Sequence, residues 1–262
     1  MPIQSPLHFY CLPQNEFREI AYAVVGKAIE IHQELIHFSK EPSFSKAMKV
    51  CLGDRAKIEV PITVIFEDFS KTYYLDLVID ESAVFELKKV SGINDQHRSQ
   101  LLNYLMLTNT SHGKLINFGK PTVEHEFVNC KQSLKLRSTS KIDLSRWGNH
   151  PDNTFPDTLI SLLKDWGTGL DTTLYEEAVG TLLNNGRETY LQSFQINFRN
   201  HTVGDIAVPT LKLNHAFRIT ALDSNAQSRF EKQLRTLLTQ TELEVIQWAN
   251  IHNGIVHFIT IC

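Results

Sequence analysis

The sequence predicts an α/β fold arranged as two tandem units. Segments in which apolar residues recur at helical spacing alternate with runs of strand-forming residues, and the second half repeats the order of the first. The chain has 262 residues, of which 42% are hydrophobic, so each half has the size of a domain and can bury a core. We place one domain at residues 14–130 and a second at 157–262, joined by a basic linker at 131–156.

The first unit opens with two helices and a strand. Apolar residues at helical spacing predict a helix from Glu16 to Leu35, with Asn15 as its N-cap. A second helix runs from Glu41 to near Gly53, and Pro42 suits its first helical position. A strand follows over about residues 57–66.

A β-hairpin is predicted next. The run from Tyr74 to Lys88 is rich in strand-forming residues, and the polar cluster at residues 80–82 interrupts it. Asp76 then lies on one strand, while Glu86 and Lys88, two residues apart, point to the same face of the next. A helix over residues 95–107, with Gln100 one turn before Tyr104, and a strand over residues 114–119 complete the unit.

Burying two carboxylates and an ammonium group on an otherwise apolar sheet costs free energy, so a functional role is expected for them. Binding of a hard divalent cation is such a role, because Mg²⁺ binds carboxylate oxygens and keeps waters for chemistry. The trio Asp76, Glu86 and Lys88 therefore indicates a metal site. The alternative is an exposed hairpin that carries a surface ion pair.

Six short blocks follow one another along the first unit: Ile-His32-Gln-Glu-Leu35, Glu41-x-x-Phe44, Asp76, Glu86-Leu-Lys88, Gln100-Leu-Leu-Asn-Tyr104-Leu and Ile-Asn117-Phe-Gly119. In this order they resemble the GxxExxY proteins, a branch of the PD-(D/E)XK nuclease-like superfamily, over about residues 16–120. The resemblance implies a restriction-endonuclease-like fold, in which a mixed central sheet lies between helices. It also implies that Asp76 and Glu86 bind metal, that Lys88 is the catalytic lysine, and that Glu41 and Gln100 belong to the site.

The chain departs from the family pattern around Glu41. Ile36 and Phe38 stand where the family has glycines, and Phe44 replaces the family tyrosine. Pro42 also restricts the backbone of Glu41. Glu41 is either a site residue or an acid that the helix dipole favours at a helix start.

The resemblance predicts phosphodiester hydrolysis with Mg²⁺ or Mn²⁺ as the cofactor, although endonuclease and exonuclease action are not distinguished. Asp76 and Glu86 hold the metal with the carbonyl of Leu87, Lys88 positions the attacking water, and Gln100 orients its neighbours. The substrate is DNA or RNA, with DNA expected in preference to RNA. The alternative is a catalytically silent module that binds nucleic acid or protein on a nuclease-like scaffold.

The second half reads as a degenerate copy of the first. Gly169 to Tyr175 resembles the family's glycine-rich turn and helix start, at an offset of about 131 residues that places Thr172 at the position of Glu41. Asp205 would match Asp76, Arg218 would match Glu86 and Thr220 would match Lys88. The copy is then inactive, because one carboxylate beside an arginine forms an ion pair. The alternative is an unrelated small α/β domain.

Charge and composition limit the partners and the compartment. The net charge of −3 does not indicate a general attraction to nucleic acid, and the predicted linker is either a strip that contacts phosphates or a solvated connection. No run is long enough to cross a membrane, no signal peptide is evident, and the four cysteines show no metal or disulfide spacing. We therefore expect a cytoplasmic protein, monomeric if the two copies form an internal pseudo-dimer.

Overall fold

A computed structural model describes residues 3–35, 39–148, 154–184 and 190–262. Ile36 and Phe38, which replace the family glycines, lie outside these residues. The chain divides into two compact units. Unit 1 comprises Met1–Ile65 and Ser70–Leu134, and unit 2 comprises Phe66–Phe69 and Lys135–Cys262.

Unit 1 follows the predicted order of elements. Its elements are β1 (Ile3–Gln4), α1 (Gln14–Glu34), α2 (Glu41–Leu52), β2 (Ala56–Phe66), β3 (Phe69–Ile79), β4 (Ala83–Lys88), α3 (Asp95–Thr108), β5 (His112–Asn117) and β6 (Glu124–Asn129). The predicted N-cap of α1 is wrong, because the helix starts one residue before Asn15 and Pro13 precedes it without a side-chain cap.

The strands of unit 1 form one mixed sheet in the order β1-β2-β3-β4-β5-β6. β4 is antiparallel to β3 and parallel to β5, and β6 is antiparallel to β5. The turn between β3 and β4 places Asp80 and Glu81 at φ 47° and 61°, which suits a tight hairpin with a right-handed twist. The structure thus confirms the predicted α/β class with a mixed sheet flanked by helices.

The core of unit 1 determines which face of β4 carries the polar residues. Residues of α1 and α2, among them Phe17 and Phe44, pack with Phe85 and Leu87 in one apolar cluster. Side chains alternate along a strand, so Glu86 lies on the opposite face of the sheet. A hydrophobic helix pair on one side therefore leaves the other side of β4 available for the site.

Unit 2 is built in the same order. After a single turn, α4 (Leu134–Arg137), its elements are β7 (Lys141–Arg146), α5 (Thr154–Trp166), α6 (Thr172–Leu183), β8 (Leu191–Phe198), β9 (His201–Lys212), β10 (His215–Thr220), α7 (Ser224–Gln240), β11 (Val245–His252) and β12 (Ile255–Ile261). The sheet order is β7-β12-β11-β10-β9-β8, with β10 parallel to β11. Two helices, three strands, a helix and two strands therefore occur in both units.

Part of the predicted linker belongs to the second sheet. Residues 141–146 form β7, which pairs in parallel with β12, so the ordered unit begins before residue 157. β7 is an edge strand with mostly exposed side chains, and its polar composition therefore resembles that of a connection. Residues 149–153 of the predicted linker lie outside the described residues.

Candidate active site

β3 and β4 bring Asp76, Glu86 and Lys88 together. The Lys88 Nζ donates a hydrogen bond to Glu86 Oε1 at 2.6 Å, and the backbone N–H of Leu87 donates to Asp76 Oδ2 at 2.8 Å. Glu86 is fully buried, and the side chain of Lys88 is 13% exposed. The alternative of a surface ion pair on an exposed hairpin is therefore wrong.

The two carboxyl groups resist ionisation in this environment. Burial raises the pKa of Asp76 to about 6, although the Leu87 N–H and the Lys88 ammonium oppose this effect. Burial and the Asp76 charge raise the pKa of Glu86 to about 8, against the effect of Lys88. Burial lowers the pKa of Lys88, but the Glu86 carboxylate raises it more, so the net shift is upward. A single ammonium does not balance two buried acids.

One oxygen of this cluster has no partner. Glu86 Oε2 is buried and accepts no hydrogen bond among the described residues. An unpaired carboxylate oxygen in a buried site is costly, and a cation is the partner that offsets the cost most directly. The donor set of two carboxylates therefore fits a hard divalent cation that keeps several waters. In the part of the chain that the structure describes, no three His, Cys, Asp or Glu side chains form a metal cage by themselves.

Glu41 lies close to this cluster, but its carboxylate already accepts a hydrogen bond from the backbone. Its Oε2 accepts the backbone N–H of Lys89 at 3.0 Å, and its charge contributes to the raised pKa values of Asp76 and Glu86. Glu41 is the first residue of α2, and Pro42 follows without interrupting the helix. The carboxylate thus anchors the end of β4, and its role as a metal ligand stays a prediction. The role of the Leu87 carbonyl also stays a prediction.

Gln100 is connected to the cluster through Tyr104. The Gln100 Nε2 donates to the Tyr104 hydroxyl at 3.1 Å, one helical turn away, and no described hydrogen bond joins Gln100 to the trio. Burial raises the pKa of Tyr104, and the Glu86 and Asp76 carboxylates add to this effect. Tyr104 is therefore a site neighbour to which sequence reasoning assigned no role, although its spacing from Gln100 indicated a shared helix face.

The Asn117 side chain holds the backbone of the segment that follows β4. Its Oδ1 accepts the N–H of Val90 and of Gly119, and its Nδ2 donates to the Val90 carbonyl and to Glu124 Oε2. All four hydrogen bonds of this buried amide are therefore made. A Cβ on Gly119 would lie 2.1 Å from the Val90 carbonyl oxygen, so only glycine fits. The sequence showed Asn117 and Gly119 as a family block but not this role.

We expect Asn117→Ala to lower the free energy of unfolding by about 2–4 kcal/mol, because several buried backbone groups lose their partner. Urea denaturation of the full chain measures this loss. The matched control is Asn15→Ala, which changes an exposed asparagine and should shift stability by less than about 0.5 kcal/mol. Equal stability of the two variants would contradict the role of Asn117.

The corresponding place in unit 2 holds different chemistry, and the predicted match of Asp205 to Asp76 is wrong. Asp205 is exposed and pairs with Gln195 of β8. Ala216 pairs with Thr210 as Val84 pairs with Val78, and counting along the strands puts Val208 at the position of Asp76. Val208 lies ten residues before Arg218, as Asp76 lies ten residues before Glu86, so the match of Asp205 by sequence similarity was three residues out of step.

Arg218 does occupy the position of Glu86, and its carboxylate partner is Glu176. Glu176 Oε1 accepts the N–H of Ile219 at 2.8 Å, and Oε2 lies 3.6 Å from Arg218 Nη1. Thr220, at the position of Lys88, bonds to Asn250 and to Trp248. The Asn250 side chain bonds both backbone groups of Leu222, as Asn117 does for Val90. Unit 2 thus has asparagine contacts like those of Asn117, and an ion pair lies where unit 1 has its acids.

Comparison with known families agrees with the geometry of unit 1. Residues 18–130 match the family model described as the PD-(D/E)XK nuclease superfamily, so this part of the chain is similar to domains of that superfamily. No curated protein matches the chain. The nucleases of this superfamily act on nucleic acid and generally use divalent metal ions. Within the described residues, no helix has the length and apolar content needed to cross a membrane.

Proposed function

We propose that this protein is a metal-dependent nuclease whose active site lies in unit 1 and contains Asp76, Glu86 and Lys88. The observation that supports this proposal most is the buried, unpartnered Oε2 of Glu86 beside a second carboxyl with a raised pKa. A purely structural role does not explain why two acids are buried with only one ammonium. A cation and a phosphodiester are partners that such a site accommodates.

Asp76 and Glu86 would hold Mg²⁺ or Mn²⁺, with the Leu87 carbonyl as the predicted third ligand. When bound, this ion polarises the scissile phosphate and lowers the pKa of a coordinated water. Lys88, held by Glu86 Oε1, donates to the attacking water or to a phosphate oxygen. Glu41 and Asn117 hold the backbone after Lys88, which keeps the ammonium in place. Gln100 acts through its hydrogen bond to the Tyr104 hydroxyl, which lies within the electrostatic influence of Glu86 and Asp76.

The direct test is hydrolysis by the purified full-length protein in Mn²⁺ and in Mg²⁺. The substrates are linear duplex, circular duplex and single-stranded DNA, with matching RNA, and we expect DNA to be cleaved in preference. Calorimetry with the metal alone is the second readout. Absence of both cleavage and metal binding would favour the silent binding module instead.

We further propose that unit 2 is a degenerate and inactive copy of unit 1, and that the chain is a monomer. The shared element order and the matching contacts of Asn117 and Asn250 support the repeat. The Glu176–Arg218 ion pair supports inactivity, because a carboxylate paired with arginine is a poor metal ligand. Light scattering tests the oligomeric state, and a symmetric dimer would contradict a monomer.

We expect Glu176→Ala to leave cleavage unchanged while it lowers the free energy of unfolding by about 1–3 kcal/mol, since the Ile219 N–H and Arg218 lose their partner. Initial rates and urea denaturation measure the two effects. The matched control is Glu177→Ala, the next residue of the same helix. A large loss of rate in Glu176→Ala at temperatures where the variant is folded would show that unit 2 takes part in catalysis.

A further inference from the structure

Helix α7 of unit 2 presents only basic charges on its exposed side. Arg229, Lys232 and Arg235 are all exposed, and their spacing of three residues places them along one stripe of the helix. The helix contains a single acid, Glu231. Among the described residues, Arg229 and Lys232 form no close ion pair, although the charge of Arg229 helps to lower the pKa of Asp223.

Glu231 is already paired with two basic residues. Its Oε1 accepts from Arg146 Nη2 at 2.8 Å and from Arg235 Nη2 at 3.0 Å, and these two bonds lower the pKa of Glu231. Asp223, the N-cap of α7, adds a second carboxylate near Arg229, so four cations against two carboxylates leave two net positive charges. Each guanidinium has five N–H donors, so Arg146 and Arg235 keep donors for a further acceptor after bonding to Glu231. We call Arg146, Arg229, Lys232 and Arg235 the α7 basic stripe.

The surroundings of the α7 basic stripe add polar groups and one acid, Asp223, which is the N-cap of α7 and accepts the N–H of Ala226. Strand β8, which contacts α7, contains no charged residue. The apolar side of α7 packs inward, where Phe230 and Leu234 join the cluster around Trp248. The stripe is therefore not needed for the core. The exposed helix residues between its charges carry hydroxyl and amide groups: Asn225, Ser228, Gln233, Thr236 and Thr239.

We propose that the α7 basic stripe binds the phosphodiester backbone of nucleic acid, so that unit 2 holds the substrate without cleaving it. The inference rests on the proposed nuclease function for the identity of the polyanion. Arginine and lysine beside hydroxyl and amide groups are the side chains that contact phosphates without reading sequence. The chain as a whole is slightly acidic, so a local stripe is the means by which it attracts a polyanion.

The test is fluorescence anisotropy of labelled duplex and single-stranded DNA with the full chain in EDTA, where no metal-dependent cleavage occurs. The variant is Arg229→Ala with Lys232→Ala and Arg235→Ala. We expect about 10-fold or greater loss of affinity at low salt and a salt slope shallower by roughly two to three. The matched control removes three exposed lysines elsewhere, Lys57→Ala with Lys164→Ala and Lys212→Ala, and should bind like the native chain.

Three results would overturn the proposal: no binding by the native chain, unchanged binding by the stripe variant, or equal weakening in the control variant. If the triple variant does not fold by circular dichroism, the single reversal Lys232→Glu replaces it and should also weaken binding. DNA binding that depends on the stripe, in a protein that cleaves nothing in Mn²⁺, would reject the nuclease function and leave this inference standing.

Discussion

Lys88→Met is expected to lower the cleavage rate by about 100- to 1,000-fold, because the variant removes a donor aimed at the charge that develops on the phosphate. Methionine keeps much of the side-chain volume, whereas Lys88→Ala would also leave a gap beside the buried Glu86. The loss should appear in kcat, with KM for DNA changed little, since the ammonium acts on the reacting atoms. Single-turnover kinetics in Mn²⁺ measure this split.

Two controls separate chemistry from stability for Lys88. Lys57→Ala removes an exposed lysine from β2 and should leave the rate unchanged. Lys88→Arg keeps the charge but changes its shape, so partial activity would show that charge contributes apart from geometry. If Lys88→Met cleaves DNA at the native rate while it is folded, the assignment of Lys88 as a catalytic residue is wrong.

The trio of two acids and one lysine could be predicted because its signal is local. Asp76, Glu86 and Lys88 lie within one hairpin, and strand alternation alone predicts which side chains share a face. The mixed sheet followed from the resemblance and from the alternation of helix and strand patterns. These features depend on short stretches of sequence, in which propensity and periodicity act together.

The features that sequence reasoning missed depend on contacts between distant segments. Asn117 acts on Val90 through a turn that no periodicity encodes, and Glu176 meets Arg218 only because helix α6 packs against β10. Similarity of the short motif around Asp205 selected that residue instead of Val208, although the spacing from Arg218 and the strand pairing both favour Val208. The edge strand β7 was missed for a different reason, because its exposed polar residues resemble those of a linker.

Glu86→Gln should abolish metal binding and cleavage, and it should also stabilise the metal-free protein above neutral pH. Glutamine keeps an acceptor for Lys88 but cannot carry the charge that burial disfavours. The pKa of Glu86 is raised from 4.5 to about 8, so the folded protein retains a proton that the unfolded chain releases. The contribution of the Glu86 carboxyl to the free energy of unfolding is therefore complete below pH 4.5, and it is lost as the pH rises to about 8. Removing this loss should make Glu86→Gln about 2–4 kcal/mol more stable than the native chain at about pH 9 in EDTA.

Urea denaturation across this pH range, with and without Mg²⁺, tests both effects together. Mg²⁺ should stabilise the native chain and leave Glu86→Gln unchanged, because only a site that binds the ion gains from it. Glu124→Gln is the matched control, since the Lys120 ammonium and the Asn117 amide lower the pKa of Glu124 to about 2. Its charge stabilises the fold from about pH 4.5 upward, and that contribution is lost as the pH falls to about 2, so this substitution should destabilise at neutral pH. If Glu86→Gln instead destabilises the metal-free protein at alkaline pH, the Glu86 carboxylate is satisfied by Lys88 alone, and the case for a cation at this site fails.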